Sequence, residues 1–263
     1  MNDQARWWGA HEIEPGSAGQ WTLGPLRLVG ERRPFEWRMS SSAQRDPTLS
    51  EICFSKTDSP EPHGSSTDIF RYALDGEEGS LLLEPLLPDR PIVARPSMPF
   101  SVLGGHTVNL FVSTPLWVRV KLPNGSVLLD LPSLPLSETW FGETTRSGEL
   151  CYASRTDARL DPDRLAHHPV RALTRICISN PLPDPVTVER VKIPASHLGL
   201  FIDKQDHLWT QAVYVERVGT NLPSKIWFET PTLRISDSVE RVSPSRVAGG
   251  RGLLERAVHA LIG

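Results

Sequence analysis

Between Glu138 and Thr156 the chain gathers three carboxylates (Glu138, Glu143, Glu149), two arginines (Arg146, Arg155), the aromatic residues Trp140, Phe141 and Tyr152, and Cys151. A positioned carboxylate can take or give a proton. A guanidinium can grip an oxyanion through paired N–H groups. Gly142 and Gly148 bracket a loop that would present Arg146 to an anion with a carboxylate beside it. Glu138, Trp140, Glu143, Arg146, Glu149 and Arg155 are therefore the candidate ligand-binding residues. The plainer alternative is a long turn, anchored by Trp140 and Phe141, whose charges are simply solvated. No residue is assigned a catalytic role.

Cys151 would serve as a nucleophile only with a base such as His167 or His168 beside it. Strand alternation puts Glu149, Cys151 and Ala153 on one face and Leu150, Tyr152 and Ser154 on the other, a setting in which a cysteine usually packs. Cys53, Cys151 and Cys177 are odd in number, form no CxxC pair and lie in apolar stretches, so they read as buried reduced thiols. Adjacent residues on a strand point apart, so His167-His168 is a poor metal pair, and no HExxH or Asp-rich calcium loop occurs. GxxxxGK[ST], GxGxxG between strand and helix, and GxSxG are missing too. No cofactor and no metal are expected. Trp117 is either covered by a second layer or offered to a sugar; a covered tryptophan is the default because its burial removes a large area from water.

These residues must be positioned by short strands. The 263 residues include 24 prolines, which lack an N–H and interrupt helices and central strands. Trp21 to Val29 reads as a strand with a bulge or kink at Gly24-Pro25. Phe35 to Met39 alternates with period two, and Leu49 to Ser55 and Asp68 to Leu74 follow, separated by the polar loop Thr57 to Thr67. Leu81 to Leu87, Pro91 to Pro96 and His106 to Ser113 continue the series. Leu116 to Leu122 and Val127 to Leu131 flank Asn124-Gly125, the residue pair favoured in a type I′ hairpin turn. Val170 to Ser179, a proline-rich turn, and Val186 to Ile193 read as strand, turn and returning strand. Leu198 to Ile202 and Leu208 to Val218 pair around Asp203–Asp206, and Lys225 to Thr230 and Thr232 to Ile235 complete the set.

One segment has helical spacing. Leu253, Leu254, Ala257, Val258, Leu261 and Ile262 form an apolar stripe behind the hinge Gly249-Gly250-Arg251-Gly252. So short a helix needs a surface for its apolar face. Leu253, Leu254, Ala257, Val258 and Leu261 are the candidate partner-binding residues, for their own chain, a second subunit, a partner protein or, through peripheral contact, a membrane. The net charge of −3 gives no basic excess for nucleic acid. No stretch is long and apolar enough for a transmembrane helix, and the N-terminus lacks the apolar core of a secretory signal; the expected location is cytoplasmic.

Two stretches carry a family resemblance: Ser113-Thr114-Pro115-Leu116-Trp117-Val118, and Leu136-Ser137-Glu138-Thr139-Trp140-Phe141-Gly142 followed by Gly148 to Thr156. Together they resemble the uncharacterised prokaryotic family known as domain of unknown function 432, over roughly Trp21 to Glu240. The resemblance implies a family of bacteria and archaea without an established activity. Some members are encoded near small mechanosensitive channels, which implies a role accessory to such a membrane protein. It carries no catalytic residues over.

The expected fold is all-β: two packed antiparallel sandwich-like units, immunoglobulin-like or barrel-like, over residues 1–98 and 99–246, then the hinge and amphipathic helix at 247–263. The expected function is a non-enzymatic interaction or regulatory module. A small-molecule or anion-binding protein using 138–155, and a carboxylate-assisted hydrolase or lyase at the same loop, are the alternatives.

Overall fold

The computed structural model describes residues 6–58, 68–74, 79–96, 98–142, 148–158, 160, 167–219, 225–230 and 239–247, with the side chains of 68 and 155–158 left out. The regular elements are strands: β1 (Gly9–Glu12), β2 (Ala18–Leu23), β3 (Leu26–Arg33), β4 (Glu36–Ala43), β5 (Ile52–Thr57), β6 (Asp68–Ala73) and β7 (Ser80–Leu86). There follow β8 (Ile92–Pro96), β9 (Phe100–Val102), β10 (His106–Pro115), β11 (Trp117–Lys121), β12 (Val127–Pro132), β13 (Ser137–Phe141) and β14 (Glu149–Ala158). The last are β15 (Arg171–Asn180), β16 (Val186–Val188), β17 (Val191–Ile193), β18 (Leu200–Ile202), β19 (Leu208–Thr210), β20 (Ala212–Glu216), β21 (Lys225–Glu229) and β22 (Glu240–Ser243), with a 3₁₀ turn at Ala195–His197. The all-β reading holds. The stripe Leu253, Leu254, Ala257, Val258 and Leu261 lies outside the described residues. No helix among those described is long and apolar enough to cross a membrane.

The chain forms two compact units, but not as two consecutive halves. One comprises residues 1–86 and 116–135, the other 87–115 and 136–263. After β8–β10 the chain returns to the first unit with the hairpin β11–β12. It does so because β11 pairs with β7, with Val120 opposite Leu83. A strand's partner is chosen by its apolar face and its open edge, and neither need be its neighbour in sequence.

The first unit contains the antiparallel sheets β1-β7-β11-β12 and β5-β2-β3-β4-β6. Its buried side chains include Trp21, Leu23, Leu28, Trp37, Met39 and Leu81. The expected single strand Trp21–Val29 is in fact a hairpin, with Leu23 opposite Leu26. Gly24 takes φ 59°, and a glycine at that φ before Pro25 makes a two-residue type II′ turn. Asn124-Gly125 also turns differently from expectation. Only Gly125 has positive φ (90°), and Leu122 N–H donates to Ser126 O. The loop Pro123-Asn124-Gly125 is therefore three residues long, a form that ends on a left-handed glycine. Proline at its first position favours the ordinary turn sense and excludes the positive φ needed there by the mirror form. Trp117 is covered, as the default held, at 5% exposed.

The β3–β4 turn carries a misfit. Phe35 has φ 66° at the hairpin tip and is 78% exposed, so little packing offsets the steric cost. Phe35→Gly is expected to raise stability by about 0.5–1 kcal/mol, since relief of the left-handed strain outweighs the entropy that glycine adds to the unfolded chain. A urea midpoint that falls would contradict this.

The second unit is not purely antiparallel. Its four-stranded sheet runs β13-β14-β8-β17. β14 runs parallel to β8, with Ala153 beside Val93. In its largest sheet β15 pairs antiparallel with β10 on one side and parallel with β19 and β20 on the other. Parallel neighbours need long crossovers, and the segments between these strands are long. The expected return of Val186–Ile193 onto β15 does not occur. The segment breaks at Glu189-Arg190; β16 pairs with β9 and β17 with β8. The pairing around Asp203–Asp206 does form, with Phe201 opposite Trp209. Asp203 fixes the turn by accepting from the N–H groups of Gln205 and His207, each at 2.9 Å, and from Trp209 Nε1 at 2.9 Å.

Candidate functional site

β13 and β14 pair antiparallel, and residues 143–147 of the loop expected between Gly142 and Gly148 lie outside the described residues. Glu138 stands opposite Tyr152, and Phe141 opposite Glu149. With a side-chain period of two, Glu138, Trp140, Leu150 and Tyr152 share one face, and Thr139, Phe141, Glu149 and Cys151 the other. β8 adds Val93 beside Ala153, and β17 adds Lys192 opposite Val93. The two described candidate carboxylates therefore sit on opposite faces of one sheet.

On the Glu149 face, Lys192 is buried, with 5% of its side chain exposed, and its ammonium forms an ion pair with the Glu149 carboxylate. Val93, Phe141 and Cys151 make the apolar surround. Lys192 Nζ lies 5.5 Å from the Phe141 ring centre and Arg190 Cζ 5.0 Å, within cation–π range. The Cys151 thiol, fully buried, donates weakly to Glu149 O at 3.6 Å. Burial, then the Glu149 charge, push its pKa up to about 11 against a partial offset from Lys192. His197 is pushed below its ordinary value by burial, with Glu149 acting in the opposite direction. At neutral pH Cys151 is a protonated thiol, the reverse of what a nucleophile requires.

That thiol makes stability depend on alkaline pH. The folded chain holds the proton more firmly than the unfolded chain. Stability is therefore full below the ordinary thiol value of 9.0 and is lost as pH rises through about 11. The loss from this group is about 2–3 kcal/mol. Tyr72, Tyr152 and Tyr214, also raised by burial, act in the same direction. Cys151→Ala is expected to flatten the fall of the urea midpoint between pH 9 and 11; an unchanged slope would show that Cys151 is not the titrating group.

On the other face, Glu138 is 56% exposed and accepts from Arg90 Nη1 at 2.6 Å. The Arg90 guanidinium lies 5.5 Å from the Tyr152 ring centre, and the Tyr152 hydroxyl donates to Asp89 Oδ1 at 3.0 Å. Burial and Asp89 raise the Tyr152 pKa. Trp140, 41% exposed, lies over Gly148: a Cβ at 148 would collide with the indole nitrogen and with Phe141 O. Gly148 is needed for that close approach.

Glu143 and Arg146 lie outside the described residues. Arg155 is placed in β14 by its backbone alone. The cations that meet Glu138 and Glu149 are Arg90 and Lys192, and neither was singled out from sequence. Arg90 sits in Pro88-Asp89-Arg90-Pro91, which reads as turn punctuation. Lys192 sits in the segment read as a returning strand, where a lysine is ordinarily taken to face water. The only signal was the lysine between Val191 and Ile193, both of which are fully buried.

The thiols differ from expectation. Cys151 is buried, but Cys53 is exposed and Cys177 intermediate. Cys53 sits on β5, which pairs with β2 alone and forms one edge of its sheet. His167 stacks on His207 with ring centres 3.3 Å apart, and Asp203 Oδ2 lies 3.4 Å from His207 Nδ1. Among the described residues no group of three His, Cys, Asp or Glu side chains is arranged to hold a metal.

The fold thus defines an all-β protein in which Glu138 and Glu149 are held on paired strands. Residues 7–262 match the family model described as protein of unknown function (DUF432). The chain belongs to this family. The match extends beyond the Trp21–Glu240 range suggested by the motifs and takes in the glycine-rich hinge and the apolar stripe after it. No curated protein and no solved structure matches the chain.

Proposed function

We propose that this chain is a non-enzymatic interaction or regulatory module, built from two sandwich-like units and accessory to a membrane protein such as a small mechanosensitive channel. The observation that carries the non-enzymatic part is the separation of Glu138 and Glu149 onto opposite faces of one sheet, each paired with its own cation. Acid–base catalysis needs such groups to converge on one reacting centre. Cys151, held protonated beside Glu149, supplies no nucleophile. The interaction part rests on the apolar stripe Leu253, Leu254, Ala257, Val258 and Leu261, a short amphipathic segment that gains a stable helix by docking.

The test uses the full chain and a chain ended at residue 246 in binding measurements against the channel of the same host. The full chain is expected to bind and the shortened chain to bind at least tenfold more weakly. Equal binding by both would remove the stripe from the proposal. Turnover of an ester, phosphoester or glycoside that is lost in Glu149→Gln would overturn the non-enzymatic reading.

A further inference from the structure

Among the described residues of the second unit is a guanidinium without a paired carboxylate. Arg171 opens β15, is half-buried, and stands opposite Pro115 at the end of β10. Its Nε donates to Ser113 Oγ at 2.7 Å and its Nη2 to Ser113 O at 2.9 Å. Both bonds use one edge of the planar fork and both acceptors are neutral. No carboxylate among the described residues pairs with it, and it has no contact beyond these that would neutralise it. Its other pair of outward N–H groups, one on Nη1 and one on Nη2, is without a partner. Nη1 has no bond among the described residues and is not among the sealed, unpartnered atoms, so this corner of the fork is open to solvent. Further along the same face lie Leu173, Phe111 and Trp209, a buried cluster that lowers the local dielectric.

Burying a cation without an opposite charge is costly, and such groups are normally paired. Desolvation alone lowers the Arg171 pKa to about 10, far above neutral, so the charge is kept. Ser113 fixes the plane of the fork and leaves the end-on pair of donors spaced for two oxygens of one planar group.

We infer that Arg171, oriented by Ser113, is the receptor for an oxyanion with two coplanar acceptor oxygens, supplied by a carboxylate or a phosphate group. This site is separate from the 138–155 hairpin and does not rest on the function proposed above. Phosphate and carboxylate offer the same two-oxygen edge and differ in charge, so binding of the simple ions distinguishes them.

The experiment follows the thermal midpoint of the full chain in sodium phosphate and in sodium acetate, against sodium chloride of equal ionic strength. At about ten times Kd a bound ion is expected to raise the midpoint by about 3–5 °C over chloride. A rise with phosphate alone assigns a phosphate ligand, a rise with acetate alone a carboxylate, and a rise with both the shared chemistry. Arg171→Met removes the charge at similar volume and is expected to abolish the rise while keeping the fold. If that variant does not fold, the Arg171 Nε–H resonance of the unaltered chain is followed instead. Its movement with phosphate or acetate, but not with chloride, supports the site. No excess over chloride in either measurement, or a rise that persists in Arg171→Met, overturns it.

Discussion

Lys192→Glu is expected to lower stability by about 3–5 kcal/mol, enough to leave a large fraction of the chain unfolded under mild conditions. The reason is local. Lys192 is buried among Val93, Phe141 and Cys151 and forms an ion pair with Glu149. A glutamate there would face Glu149 across a poorly solvated gap and would lose the attraction to the Phe141 ring. Lys192→Met should behave very differently. Methionine matches the volume and suits the apolar surround, and Glu149, 43% exposed, can turn to water. A change within about 1 kcal/mol is expected, because replacing a buried ion by a well-packed apolar side chain is often close to neutral. Urea unfolding of both variants checks this. Equal, large losses would mean that Lys192 makes an essential polar contact rather than a tolerated one.

The second large effect lies in the first unit. Trp37 is fully buried on β4, between β3 and β6. Trp37→Ala should cost about 3–5 kcal/mol, from lost transfer free energy and the cavity left behind. Trp37→Phe should cost only about 1 kcal/mol. The indole Nε1 is buried without a hydrogen-bond partner, so removing it relieves a penalty that offsets part of the lost packing. A phenylalanine variant as unstable as the alanine variant would show that the N–H is satisfied in solution.

How far the sequence discloses this protein varies from place to place. β15 was legible because Ala172, Thr174, Ile176 and Ile178 fall at every second position, and they are buried as that pattern requires, with Leu173 buried on the opposite face. The Asp203–Asp206 turn was legible because an aspartate such as Asp203 can bond the backbone of its own turn. The partners of β11, β14 and β17 were not legible. Edge choice depends on faces formed by distant residues, as when Lys192 comes to lie opposite Val93. The same limit hid the candidate site. The carboxylates of 138–149 could be picked out by local density, but their cations arrive from β17 and from the turn before β8. Faces within the hairpin followed from period two alone: Glu149 and Cys151 share a side as expected. That alternation already separates Glu138 from Glu149, since one is even and the other odd once the register of the two strands is known. Arg171 was invisible for a different reason. An arginine at the start of a strand looks like a solvated end, and its two bonds to the neutral Ser113, with no carboxylate pair among the described residues, are what give it meaning.

The central claim is that Glu138 and Glu149 belong to two separate ion pairs and share no site. A double-mutant cycle on stability tests it most directly, with Glu149→Gln combined in turn with Lys192→Met and with Glu138→Gln. Allowing for solvent screening of the half-exposed Glu149, its coupling to Lys192 is expected to be about 1–2 kcal/mol. Its coupling to Glu138 should lie within about 0.5 kcal/mol of zero. Strong coupling between the two glutamates, with none between Glu149 and Lys192, would contradict the account and restore a common centre.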